Sequence, residues 1–223
     1  MLKAGPSKRE LQAKETRRRI FAAAAELIST RGYHAVTVAE IAKRAKVAKG
    51  TFFLHFATKD AIVTELVRIQ TRAARRARAD ALASGEPPLS RLRITTLTLG
   101  EHAGASLELS RAVLAATLES REIGGATGAL FDEVFAEMRV DSIQELGDDD
   151  LARALMTSYL GAALHVCSSP KARPLREVLE ALVDTQLDAF IIRSEAPHAR
   201  SPRRNVRHPL RSPRVQQRPR RKR

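Results

Sequence analysis

Three features of this 223-residue chain point to an all-α protein. Alanine and leucine are plentiful, aromatic residues make up only 4 %, and long alternating β-branched runs are missing. Apolar residues recur at helical spacing through most of the chain, the mark of amphipathic helices. Residues 37–59 carry the signals of two short helices joined by a tight turn.

That stretch organises the rest. Thr37 is a good N-cap, and Glu40 three residues on completes a T-x-x-E capping box. Val38, Ile41, Ala42 and Ala45 then form one apolar stripe. Lys46, Val47 and Ala48 are the turn, with Val47 plugging the space between helices. The second helix begins at Lys49 and points Phe52 and Phe56 inward, leaving Lys49, Thr51, Phe53, Leu54 and His55 for the other faces. Thr58 can cap a third helix with Asp60 in its first turn. Helix, three-residue turn, helix is the geometry that sets a second helix into a DNA major groove.

These residues resemble the DNA-binding domain of the TetR/AcrR family of transcriptional regulators. The signature is V-x-x-I-A-x-x-A-x-V-x-K-G-T-F-F-x-H-F-x-x-K over residues 38–59, preceded by a helix at 15–31 and by Gly32 and Tyr33. The resemblance is specific over roughly the first 70 residues and beyond them is one of length and helix pattern. It implies that Thr37 offers its hydroxyl and helix N-terminal amides to a phosphate, and that Lys59 grips the DNA backbone. His55 would face the sugar–phosphate chain, while Lys49, Gly50 and Thr51 open the recognition helix next to base edges. Two departures stand out. Phe53 and Leu54 occupy positions where the family often has tyrosines, so Phe53 is expected to press on a thymine methyl instead. Lys46 and Ala48 replace the commoner Gly and Ser of the turn, which removes one hydroxyl and adds one cation.

Charge divides the chain into three. The formal net charge of +14 is distributed as +11 over residues 1–80, −7 over 81–193 and +10 over 194–223. Only the basic head couples its charge to a motif, and that combination points to double-stranded DNA. The expected layout is a flexible basic arm at 1–13, a helix-turn-helix domain at 14–60 and a helical effector-binding and dimerisation domain at 61–193. Residues 61–83 would be the linking helix, and 194–223 a disordered Arg/Pro-rich tail. Arg17, Arg18 and Arg19 fall near the start of the helix expected from residue 15, where the macrodipole disfavours cations, so phosphates are expected opposite them. Tyr33 is expected in the core beneath the motif and His34 at the surface.

In the second half, helices are expected at 90–103, 106–120 and 129–138, with the glycine-rich 124–128 as a flexible connection and 139–147 as another. Asp148, Asp149 and Asp150 form an acidic first turn for the next helix. The last two helices carry the apolar stripes Leu151, Leu155, Tyr159, Ala162 and Leu175, Leu179, Leu182, Val183, Phe190. The resemblance implies that these pair with a second copy in a four-helix bundle. It also implies a small-molecule effector of unknown identity in a cavity of this domain, with His102, Arg111, Tyr159 and His165 as candidate polar wall groups.

Other functions find little support. H-E-x-x-H, G-x-S-x-G and Cys/His clusters are missing, the glycine run lacks the lysine of a phosphate loop, and neither enzyme activity nor a cofactor is expected. The only cysteine, Cys167, excludes an intrachain disulfide and a multi-cysteine zinc site, and with His165 it reads as core. No apolar run approaches the ~20 residues a membrane span requires, and the polar start is no secretory signal. A homodimeric repressor in the bacterial cytoplasm, associated with the nucleoid, is the expectation. The alternative is a protein that coats nucleic acid non-specifically through its basic head and tail.

Overall fold

The structure is a computed structural model that describes residues 7–104, 107–169, 171 and 173–195. Nine α-helices and one π-helical turn, and no strand, are found among the described residues. The head comprises α1 (Lys8–Arg31), α2 (Val38–Arg44), α3 (Lys49–His55) and the start of α4 (Asp60–Ala83). The body is built from the rest of α4, α5 (Pro88–Gly104), α6 (Leu107–Glu119), α7 (Arg121–Arg139), the π-helical turn Val140–Glu145, α8 (Asp149–Ser168) and α9 (Leu175–Glu195).

Two cores follow from the apolar stripes. Ile20, Ile28, Ile41, Phe52, Phe56 and Ile62 close the head, which extends onto Ala112, Ala116 and Ile123 of α6 and α7. The body core gathers Leu92, Leu99, Val134, Met138, Leu155, Leu179 and their neighbours. Helix α4 belongs to both, since Ile62 and Val63 lie in the head core and Ala74 in the body core. Gly32 ends α1 at φ +80° with its N–H on the Ile28 carbonyl, a left-handed position that glycine adopts without a Cβ penalty.

Several expectations for the chain path need correction. Helix α1 starts at Lys8, so residues 8–13 of the expected arm are helical; Ser7 caps it and Glu10 returns the capping bond. Arg17, Arg18 and Arg19 therefore sit mid-helix, and the macrodipole gives no reason to place phosphates opposite them. Arg17 donates to the His55 carbonyl and to Glu65 at 3.0 Å, with its guanidinium 4.0 Å from the centre of the Phe56 ring. Arg18 pairs with Glu15 on its own helix.

The glycine run 124–128 is no connection but part of α7, capped by Ser120. At Gly124 a Cβ would lie 2.9 Å from the Thr117 carbonyl oxygen of α6, so glycine permits the close approach of the two helices. The segment at 139–147 is likewise ordered: its π-helical turn buries Asp141 and Ser142 completely. The Asp141 carboxylate accepts two bonds from Arg78 of α4 (2.7 and 2.8 Å) and two from Arg91 of α5 (3.1 and 2.9 Å). Arg75 of α4 pairs with Glu133 and Glu137 of α7. Much of the positive charge late in the linking helix is thus neutralised by the acidic body. Asp148 caps α8 as expected. The expected tail falls outside the described residues from 196 onward.

Candidate nucleic-acid interface and effector cavity

The two motif helices form as their capping signals require. Thr37 accepts from the Glu40 amide, and Glu40 accepts from the Thr37 amide at 2.8 Å and from its hydroxyl at 2.7 Å. Arg31 adds a bond at 2.7 Å, and the Arg31 and Thr37 contacts hold the Glu40 carboxyl down at about 2. The Thr37 hydroxyl proton is therefore committed to Glu40, and its expected phosphate bond would have to displace that contact. In the turn, Lys46 takes φ +55°, the left-handed conformation for which the family's commoner glycine is suited. A non-glycine residue there costs about 1–2 kcal/mol.

Helix α3 presents its outer face to solvent. Lys49, Gly50, Phe53 and Leu54 are exposed, and Thr51 and His55 are half-buried. Phe53 is 47 % and Leu54 84 % exposed, even though Phe52 and Phe56 below them already close the core. Lys46 and Lys49 have no partner among the described residues and stand free for phosphates. Lys59 differs: its ammonium donates to the carbonyls of Tyr33 (2.9 Å) and Val36 (3.0 Å) and lies 4.0 Å from the centre of the Tyr33 ring. Burial lowers its pKa, partly offset by neighbouring Asp60. Tyr33 is buried and its hydroxyl donates to Asp60, so the loop before α2 is tied to the first turn of α4 from two sides. Thr58 accepts from the Ala61 amide, as a cap of α4 should.

The body encloses an open cavity of about 1010 Å³ bounded by α4 to α8 and the start of α9. Of the four polar wall groups expected, only Tyr159 lines it. His102 is exposed and rests against the Thr98 carbonyl; Arg111 donates to the carbonyls of Cys167 and Ser169 at the end of α8; His165 is exposed. Helical spacing alone does not tell which polar side chain faces inward. Gln70 of α4, Thr127 and Phe131 of α7 and Cys167 line the cavity unforeseen. A glutamine amid the apolar run of the linking helix was the available signal for the first of these.

The expected dimerisation stripe divides. Leu151, Leu155, Tyr159, Ala162, Leu175, Leu179 and Val183 are buried within one chain's own body and cannot meet a second copy without opening it. Phe190 is half-buried against the same core, and Leu182 alone of the nine is exposed. The apolar residues left in solvent on these helices are instead Leu160 and Leu164 of α8, and Leu182, Ile191 and Ile192 of α9, with Gly161, Ala181 and Ala189 beside them. No helix among the described residues is long and apolar enough to cross a membrane, and no group of three or more metal-ligating side chains is found among them.

Comparison with known proteins agrees with this geometry. The sequence model described as "Bacterial regulatory proteins, tetR family" matches residues 20–66. The HTH-type transcriptional repressor KstR of Rhodococcus jostii is 30 % identical over 154 residues, which span 65 % of this chain and 68 % of that protein. The A-factor receptor protein of Streptomyces griseus is 40 % identical over 63 residues; there the chain spans only about a quarter of the relative, 23 % of its length. Among solved structures, Thermus thermophilus FadR, a transcriptional repressor in complex with lauroyl-CoA, superposes with a TM-score of 0.62 at 26 % identity, covering 83 % of this chain and 98 % of that one. With the motif, the two-core layout and a relative matched over two thirds of its length in agreement, the chain belongs to the TetR family of transcriptional regulators.

Proposed function

We propose that two copies of this chain bind a palindromic operator as a repressor, and that a small, largely apolar molecule entering the body cavity releases them. The observation that carries DNA reading is the pair Phe53 and Leu54, left in solvent on the outer face of α3 over a core that is already closed. Apolar side chains at that place suit the thymine methyl groups of a major groove. Lys46 and Lys49 flank them as phosphate contacts, which position but do not specify. Lys59 acts mainly on the loop before α2 and offers its remaining N–H to the backbone.

Dimerisation is supported by the apolar residues that one chain leaves uncovered, Leu182, Ile191 and Ile192 of α9 together with Leu160 and Leu164 of α8, which also line the open cavity. A two-fold operator needs two heads at a fixed separation, about one helical turn (~34–36 Å) or a multiple of it. Helix α4 runs from the head core into the cavity wall, so a ligand that favours one setting of α4 changes that separation. The resemblance to a repressor that holds lauroyl-CoA supports a ligand with a long apolar part. The place of action is the bacterial cytoplasm, on chromosomal DNA.

The test is selection of bound fragments from the source genome at a stated salt concentration, followed by sedimentation of the protein with the selected duplex. A regulator enriches one two-fold sequence by ~10³-fold or more and sediments as two chains per duplex. Equal recovery of unrelated fragments would favour a coating protein. The ion pairs that neutralise Arg75 and Arg78 speak against that rival, because they remove charge a coating surface would use.

A further inference from the structure

Most hydroxyls around the cavity are spent on their own helices. Thr127 donates to the Ile123 carbonyl, Thr117 to Val113, Thr157 to Arg153, and Ser110 to Ala103 just before its helix. The charged lining residues Glu101, Asp132, Arg153, Arg173 and Arg176 are all exposed and so belong to the rim. One buried polar pair remains at the floor, Gln70 and Tyr159. Gln70 Nε2 donates to the Leu99 carbonyl at 2.8 Å and to the Tyr159 hydroxyl. The Leu99 carbonyl can only accept, which fixes the amide nitrogen on that side and leaves Oε1 as the free end.

Both amide protons are thereby used, and Oε1 has no partner among the described residues. The Tyr159 oxygen accepts from Gln70, and its own proton has no acceptor among the described residues. Burial raises its pKa, so the proton stays on. The floor of an otherwise apolar cavity thus presents one acceptor and one donor side by side. An anion there would face Oε1 with every cation out at the rim, a costly arrangement.

From this pair we infer that the effector is an apolar molecule whose buried end carries one uncharged group that both donates and accepts, a hydroxyl or a carboxamide, seated between Gln70 Oε1 and the Tyr159 hydroxyl. The inference rests on the effector reading above and adds the chemistry of the ligand's inner end. Gln70 is a residue of α4, so the same hydrogen bonds grip the helix that carries the head.

Four probes built on a ten-carbon chain test it by calorimetry on the full chain: decan-1-ol and decanamide, which donate and accept; 1-methoxydecane, which only accepts; and decanoate. The alcohol and amide should bind about tenfold more tightly than the ether and the carboxylate. In Gln70→Met, which removes the acceptor that only the donating probes can use and keeps the Tyr159 hydroxyl, that advantage should disappear while ether binding stays within about twofold. Equal affinity of alcohol and ether for the unaltered chain, or tightest binding of decanoate, would overturn the polar-floor assignment and leave the cavity reading standing. Failure of all four to bind would overturn both.

Discussion

The ammonium of Lys59 sits 4.0 Å from the centre of the Tyr33 ring and donates to the Tyr33 carbonyl at 2.9 Å. With the second bond to Val36, the lysine stitches the loop that delivers Thr37 to the first turn of α4. Lys59→Ala should therefore lower the stability of the chain by about 1–3 kcal/mol, from the loss of charge-assisted bonds. It should also reduce the salt slope of DNA binding by about one unit without changing operator preference. Urea unfolding and a salt series on two operator variants measure both; a changed ranking of the variants would contradict the assignment.

Acid should loosen the same region. The folded Glu40 carboxyl titrates at about 2, well below its ordinary value of 4.5, because Arg31 and Thr37 bind the ionised form. A depressed carboxylate contributes stability that is complete above the unfolded pKa and is lost as pH falls through the folded one. The gap in melting temperature between the unaltered chain and Glu40→Gln should be full at pH 6 and should narrow from pH ~4.5 toward pH ~2. A gap independent of pH would show that the Glu40 charge is irrelevant to the cap.

Asp141 is completely buried between Arg78 and Arg91, whose side chains are themselves nearly covered. Its removal leaves two guanidinium groups facing each other, with Glu145 still paired to Arg91 and no carboxylate on Arg78 among the described residues. Asp141→Ala should cost about 3–5 kcal/mol in equilibrium unfolding, the usual result of breaking a buried pair from one side. A loss below about 1 kcal/mol, the range of exposed pairs, would contradict the buried arrangement.

The glycines of α7 separate a helix from a loop by substitution. Gly125→Ala adds a Cβ into open space and should stabilise by about 0.5–1 kcal/mol. Gly124→Ala drives a Cβ to 2.9 Å from the Thr117 carbonyl and should destabilise by about 1–3 kcal/mol. Equal, near-zero effects at both positions in thermal unfolding would mean that 124–128 is a loop after all.

Local signals carried the head and missed parts of the body for a physical reason. The Thr37–Glu40 box and the inward Phe52 and Phe56 act within a few residues, so the sequence exposes them directly. Ser7 and Glu10 spell the same box and were legible too, yet the basic polar run around them masked the start of α1. The glycine run lies inside α7 with Gly124 set close against α6, and Asp141 is buried where α4 and α5 each supply an arginine. Neither partner is local. The same holds for the apolar stripes of α8 and α9: periodicity marks a buried face but cannot say whether its cover is the chain's own body or a second copy.

Reading of DNA by the outer face of α3 is the claim on which the rest turns. The most direct measurement compares Kd at one fixed salt for the selected operator, for the same operator with single thymine-to-uracil changes, and for a scrambled duplex, using the unaltered chain and Phe53→Ala. The account predicts at least ~10³-fold preference over the scrambled duplex. It also predicts one or more uracil substitutions that weaken the unaltered chain but not Phe53→Ala. Indifference to sequence, or uracil effects identical in both proteins, would contradict it.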